Sequence, residues 1–296
     1  MTILEHKKCG GKVVENIQNN ETVQLNCLKC RKSWGILSDL SDIEIYVQER
    51  KLREGSMPLE ISTFHMRSRL PNFVINFLFN HRLRRVLRMM DFSTGKECVG
   101  LDLGCNKGNF TQFLANRLRG ITIGADISKL DLRRAKLSAR LNAAYQGCNS
   151  SVSIDFVCCD MTLLPFRENS IDLVVCVSVL EHALDIETVV KEIANSIVEK
   201  GILVAGYPIE TSLFNALLGI FLPSGLVIRD PRIMGKEKFD RNPETHKQSF
   251  TTIRSSLQKY FFIAQRTKSF FTFLPDQVSW YETAKMIKKS ESKLEK

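Results

Sequence analysis

No stretch of this chain reaches about 18 uninterrupted apolar residues, the length a helix needs to cross a bilayer, so no membrane-spanning helix is expected. The opening segment, MTILEHKKCGGKVVENIQ, lacks the basic start, apolar run and small-residue cleavage site of a secretory signal, and a cytoplasmic location is the expectation. There is no long Gly/Ser linker, no internal repeat and no low-complexity tract apart from a Lys-rich stretch after Lys285. A disulfide framework is missing too. The nine cysteines, at positions 9, 27, 30, 98, 105, 148, 158, 159 and 176, are odd in number and suit a reducing compartment, which leaves metal-binding or core roles.

What is present is ordinary globular composition. With 296 residues, 44% of them hydrophobic and 25% charged, the chain is neither disordered nor fibrous, and it is long enough for a large domain with a small appendage. The net charge of +10 is unevenly spread. Residues 1–49 carry 6 basic and 7 acidic side chains, 50–96 carry 10 and 3, 97–211 carry 11 and 14, and 212–296 carry 15 and 8. Basic flanks around an acidic middle suit either phosphate on nucleic acid, an anionic membrane surface, or simply a solvated face.

Near the N-terminus, His6-x2-Cys9 and Cys27-x2-Cys30 bracket two strand-like runs, Lys12 to Ile17 and Thr22 to Leu25, joined by a turn at Asn19-Asn20-Glu21. A ligand pair two residues apart on a tight turn can occupy one edge of a zinc tetrahedron, and two such pairs complete it. The arrangement resembles a zinc ribbon, with His6, Cys9, Cys27 and Cys30 as the ligands; a ribbon without metal and a redox Cys-x2-Cys are the alternatives. After Pro71, the segment NFVINFLFNHRLRRVLRMM places Leu83, Val86, Leu87 and Met90 on one helical face and Arg82, Arg85 and Arg88 on another. Such a basic amphipathic helix either packs beside a sheet or lies on lipid headgroups.

From residue 97, short β-branched runs alternate with helical stretches: CVGLDLG, NFTQFLANRL, GITIGAD, LDLRRAKLSARLNAA, SVSIDFVCCD, IDLVVCVSV, IETVVKEIANSIV and GILVAGYP. Residues 248–274 supply a last helix and antiparallel strands. This order predicts an α/β fold, a Rossmann-like doubly wound seven-stranded sheet, preceded by the small zinc-ribbon-like β domain. The expected boundaries are 1–45 for the ribbon, 46–96 for a linker and the basic helix, 97–275 for the α/β domain with an apolar insertion at 212–247, and 276–296 for a Lys-rich tail. The insertion, SLFNALLGIFLPSGLVI at its core, is either a lid over an apolar acceptor, a segment that dips into a membrane interface, or a piece packed on itself.

The chemistry is expected at the strand ends. Asp102-Leu-Gly104-Cys105-Asn106-Lys107-Gly108 closes the first strand of the α/β region and opens a helix, with glycines that permit a tight turn and close approach of a ligand. Its spacing departs from the dinucleotide fingerprint, which serves a pyrophosphate. Asp126 and Asp160 end the next two strands; Asp126 suits the two hydroxyls of a ribose, and three acids in succession suit a cationic ligand. Together with Val179-Leu180-Glu181-His182 and Lys200-Gly201, these residues resemble class I S-adenosylmethionine-dependent methyltransferases over roughly residues 80–275. The resemblance implies S-adenosylmethionine as cofactor, held by Asp102, Gly104, Cys105, Asn106 and Gly108 on the methionine side, Asp126 and Ile127 at the ribose, Asp160 and Met161 at the adenine, and Ser178 beside the methyl group. Asn106 and Lys200 stand where glycine is usual in the family.

Methyl transfer is an in-line displacement that depends on alignment, and a base is required only for an acceptor still protonated at neutral pH. His182 is the candidate base or a pocket-shaping residue; Tyr207-Pro208-Ile209-Glu210 falls where acceptor contacts are expected; His246 has no assigned part. The expected acceptor is a small molecule or a lipid-linked one, with peripheral membrane contact in view. The alternatives are RNA gripped by the basic flanks, against which the ribbon's own charge of one excess acid counts, and a non-catalytic binding module.

Overall fold

The computed structural model describes residues 2–6, 9, 11–18, 22–31, 33–35, 43–47, 72–90, 97–146, 153–209, 246–269, 276 and 279–290; for 2–6, 11–18, 22–25, 34, 35, 43–47, 72–80 and 141–146 the backbone alone is described. Residues 212–245 of the insertion, its apolar core included, and Glu210 lie outside the described residues.

The first sheet is antiparallel, formed by β1 (Thr2–His6), β2 (Gly11–Gln18), β3 (Thr22–Cys27), β4 (Ser33–Gly35) and β5 (Ile43–Val47) in the order β4-β3-β2-β1-β5. The β2–β3 hairpin pairs Val13 with Cys27 and Gln18 with Thr22, so Cys27 leaves the hairpin at the end opposite its turn. Residues 43–47 pair with β1 along its whole length, which carries the sheet past the expected boundary at residue 45.

The second sheet has seven strands in the order β11-β12-β10-β9-β6-β7-β8. Its parallel part comprises β6 (Cys98–Leu103), β7 (Gly120–Asp126), β8 (Ser153–Cys158), β9 (Ile171–Val177) and β10 (Ile197–Pro208). The order reverses at β6, between β7 on one side and β9 on the other, which is the place where an open α/β sheet leaves a crevice at its carboxyl edge. β9 is central and its IDLVVCV is apolar almost throughout, as a parallel strand covered on both faces requires. β12 (Tyr281–Lys288) and β11 (Phe261–Lys268) complete the sheet by antiparallel pairing.

Helices cover both faces: α1 (Asn72–Met89), α2 (Asn109–Ala115), α3 (Lys129–Gln146), α4 (Ile186–Ser196) and α5 (Phe250–Tyr260). Two of them begin with the sequence's own caps. Asp185 accepts the Thr188 N–H at 3.1 Å, and the Ser249 hydroxyl accepts the Thr252 N–H at 3.2 Å. The larger core joins α4 and α5 to one face through Val189, Val190, Ile193, Ile253 and Leu257. A second core on the other face gathers Leu83, Val86, Met89 and Met90 of the α1 region with Phe110, Leu114, Val175 and Val204.

Of the two arrangements open to the basic helix, α1 takes the one beside the sheet: its apolar stripe is buried there while Arg84 and Arg88 face solvent, so the α/β unit begins before residue 97. The expected boundary at the other end is corrected by the packing. Residues 281–288 are not a tail: they form β12, inserted between β10 and β11, with Tyr281, Ala284 and Met286 buried. The lysines that gave this strand its tail-like look are accommodated individually. Lys288 reaches Asn169 Oδ1 and the Ile197 carbonyl, each at 2.7 Å.

Candidate functional site

The carboxyl edge of the parallel strands brings together the glycine turn after β6, Asp126 at the end of β7, Asp160 after β8, Ser178 after β9 and Pro208-Ile209 at the end of β10. Asp102 sits inside β6 beneath the turn, 4% exposed, and accepts a 2.6 Å hydrogen bond from the Thr111 hydroxyl of α2. Burial raises its carboxyl to about 7, the Asp126 charge adds to the rise, and the Thr111 bond opposes it. A buried acid of this kind is poised to ionise opposite a cationic ligand.

The turn itself needs its glycines. Gly104 has φ 76° and Gly108 φ 72°, both left-handed, and a Cβ on Gly104 would overlap the Val179 side chain. Asn106, where the resemblance implies glycine, also adopts a left-handed φ of 50°, which asparagine tolerates, and its Oδ1 accepts the Lys107 N–H at 2.8 Å. Lys200, the second departure, likewise takes the left-handed conformation at φ 62°, where β10 shifts register against β9. The expected glycine geometry is therefore kept by other residues at both places.

Asp126 is tied into the turn: Oδ2 accepts the Asn106 N–H and Oδ1 the Ser128 N–H, each at 2.8 Å. Two backbone donors fix the carboxylate's orientation, and each oxygen retains a lone pair for a ligand hydroxyl. Ile127 next to it is exposed. Asp160 accepts both the N–H and the hydroxyl of Thr162 at 2.8 Å, and these bonds hold its carboxyl below the ordinary range. Met161 is half-buried beside it. Cys105 is buried, and burial, reinforced by Asp102 and Asp126, pushes its thiol far up, so it lines the turn as an unreactive group.

On the β9 side, Ser178 adopts φ 57°. Its hydroxyl accepts an Arg82 N–H at 2.8 Å and shares a 3.0 Å hydrogen bond with the Tyr281 hydroxyl, while the Arg82 guanidinium lies 5.6 Å from the centre of the Tyr281 ring. Burial lowers Arg82 and raises Tyr281. Gly206 on β10 makes room for this tyrosine: a Cβ there would stand 2.8 Å from its hydroxyl. Arg82 and Tyr281 were absent from the site expected from sequence. Only the helical face of Arg82 was visible there, and Tyr281 lay in the segment read as tail.

After Ser178, a short 3-10 turn, Leu180–His182, buries Glu181 and exposes His182. His246 stands with its ring centre 5.0 Å from that of His182, nearly perpendicular to it. Burial, with the His182 charge as the lesser cause, pushes His246 down to about 4, so it is neutral at physiological pH. Tyr207 does not serve the edge: it is fully buried and donates to Glu282 Oε1 at 2.7 Å, where Arg254 also binds Glu282 at 2.6 Å.

In the first sheet, the Cys9, Cys27 and Cys30 sulfurs lie within 4.8 Å of one another, with Cys9 and Cys27 3.5 Å apart. The Cys30 N–H, helped by the Lys29 N–H and by the neighbouring thiols, draws Cys27 down to about 6. Of His6, the fourth expected ligand, the backbone at the end of β1 is described and the side chain lies outside the described residues.

Comparison with known proteins shows what this edge is similar to. Residues 101–205 match the methyltransferase domain family. An uncharacterised protein of Methanocaldococcus jannaschii is 33% identical over 96 residues, 32% of this chain; the match spans about a third of that relative, 35% of its length. Among solved structures, a Pyrococcus horikoshii OT3 protein superposes with TM-score 0.51 at 20% identity over 71% of this chain and 91% of the other. Magnesium protoporphyrin IX methyltransferase of Synechocystis, crystallised with S-adenosylhomocysteine, gives 0.50 at 17% identity over 73% and 87%. The cyclase SpnF gives 0.51 at 16% identity over 71% and 80%. Residues 101–205 are thus similar to a methyltransferase domain, and the solved structures share the Rossmann-like α/β fold of the seven-stranded sheet.

Proposed function

We propose that the protein is an S-adenosylmethionine-dependent methyltransferase acting on a small-molecule or lipid-linked acceptor. The observation that supports this best is the row of three acids, Asp102, Asp126 and Asp160, set at the same edge as a left-handed glycine turn within the matched domain. The cofactor supplies an electrophilic methyl carbon on a sulfonium. Asp102 and the turn receive its cationic end, Asp126 takes the ribose hydroxyls with lone pairs already oriented by the Asn106 and Ser128 amides, and Asp160 with Met161 borders the adenine. Ser178, held by Arg82 and Tyr281, forms the wall from which the acceptor approaches, and His182 is the exposed group positioned to take an acceptor proton.

An apolar acceptor is supported by exposed Leu184, two residues from His182. Because the fold also serves a cyclase, activity must be tested directly. Calorimetry with S-adenosylhomocysteine is expected to give one site per chain, with affinity reduced at least about tenfold in Asp126→Ala, the loss of a hydrogen-bonded pair of hydroxyls. Equal affinity in the variant would remove Asp126 from the cofactor site.

The thiol cluster is read as a structural zinc site. Zinc–sulfur bonds of about 2.3 Å in a tetrahedron put sulfurs roughly 3.8 Å apart, which the 3.5 Å Cys9–Cys27 separation approaches. His6 is the fourth ligand in this reading.

A further inference from the structure

Three metal-ligating side chains meet at the acceptor edge of the sheet. The ligand atoms of Glu181, His182 and His246 all lie within 4.8 Å of one another. Glu181 is 1% exposed, His246 is half-buried, and His182 opens to solvent. The three come from two distant stretches of chain, and the structure stitches those stretches together: the Lys247 and Gln248 amides donate to the Glu181 carbonyl at 2.6 and 3.1 Å, and Gln248 Nε2 donates to the Ala183 and Leu184 carbonyls at 3.0 and 3.1 Å. Four hydrogen bonds thus bind the segment carrying His246 to the turn carrying Glu181 and His182. The buried Nδ1 of His246 has no hydrogen-bond partner among the described residues.

We propose that Glu181, His182 and His246 form a binding site for a divalent first-row transition cation. Two imidazole nitrogens and one carboxylate oxygen are a donor set suited to zinc, iron, cobalt or manganese, and are distinct from the soft thiolates of the N-terminal cluster. The ring geometry fits. Metal–nitrogen bonds of about 2.1 Å meeting at roughly 90–110° put two imidazole centres roughly 4.5–5.2 Å apart, and the two rings stand 5.0 Å apart with an interplanar angle of 81°. Three protein ligands leave coordination positions open, and exposed His182 puts them on the side from which the acceptor enters.

The role of the cation, unlike its binding, rests on the methyl-transfer reading given above. It selects an acceptor that carries an oxygen ligand, a hydroxyl or a carboxylate. With the cation bound, His182 is a ligand and no longer the group that takes the acceptor proton, and a metal-bound hydroxyl loses its proton to water more readily. Its oxygen then forms the bond to the methyl carbon while the carbon–sulfur bond breaks, and sulfur keeps the electron pair as a neutral thioether.

The test uses the full chain with its thiol cluster first filled with one equivalent of zinc, then titrated with cobalt(II) without cofactor. The expected result is one further equivalent with visible ligand-field absorption and no thiolate charge-transfer band, weakened at least about tenfold in His246→Gln and in His182→Asn. Retained S-adenosylhomocysteine binding shows that the variants are folded and separates this outcome from failure of the methyltransferase reading. In the unmodified protein, manganese(II) is expected to broaden the ring signals of two of the five histidines. No further equivalent of cobalt, cobalt binding equal in both variants, or no broadened histidine pair would overturn the site.

Discussion

Asp102 concentrates the electrostatics of the edge. Its carboxyl titrates near 7 in the fold against an ordinary value near 4, so the folded state holds a proton that the unfolded chain releases. The associated stability is complete below pH about 4 and is lost as the pH rises through about 7, amounting to on the order of 4 kcal/mol over that window. Asp102→Asn, which still accepts the Thr111 bond, is therefore expected to raise the unfolding free energy at pH 8 and to change it little at pH 4. Denaturant melts at both pH values check this, and an equal effect at the two would show that Asp102 carries no buried charge. Gly104 makes the complementary steric case. Gly104→Ala meets both a left-handed φ and the Val179 side chain, and a loss of about 1–3 kcal/mol is expected. Adding Val179→Ala is expected to recover the steric part and leave the backbone part, which a double-mutant cycle of melts resolves. Asp102, Asp126 and Asp160 were legible from sequence because each ends or underlies a strand of strong β pattern. Arg82 and Tyr281 were not, since each reaches Ser178 only through tertiary packing across about a hundred residues of chain.

At the scale of elements, β6 to β10 and the helices between them follow the sequence pattern closely, with β7 over the expected GITIGAD. One element escaped it. β12 reads YETAKMIK, in which buried Glu282 and Lys288 break the alternation that marks a half-buried strand; both are satisfied by partners that no local pattern reveals, Arg254 for the first and Asn169 with the Ile197 carbonyl for the second. α1 was legible as an amphipathic helix, but its covering surface, Phe110, Leu114, Val175 and Val204, is supplied by three later elements. The strand reading of 281–288 has a direct consequence. Met286 is fully buried, so Met286→Ala is expected to cost about 2–5 kcal/mol, whereas Lys285→Ala, on the same strand and half-buried, should cost far less. Equal, negligible effects in urea melts would return the segment to a tail.

Across the whole molecule, the two sheets divide the work. The antiparallel sheet carries the thiol cluster, and the seven-stranded sheet carries the acids and histidines of the candidate site. If zinc fastens the first sheet, Cys27→Ala is expected to remove the bound zinc and expose residues 2–47 to limited proteolysis while S-adenosylhomocysteine binding persists, because a closed four-ligand site offers no position for chemistry. Zinc content and cleavage pattern report the two effects separately. Among the described residues no helix is long and apolar enough to cross a membrane.

The central claim, methyl transfer to a small-molecule or lipid-linked acceptor, is tested most directly by incubating the purified protein and methyl-labelled S-adenosylmethionine with an extract of cells lacking it, then partitioning the label. The account predicts label in the lipid or small-molecule fraction that disappears in Asp126→Ala. Label confined to RNA or protein would contradict the acceptor class, and no transfer to any fraction would contradict the activity.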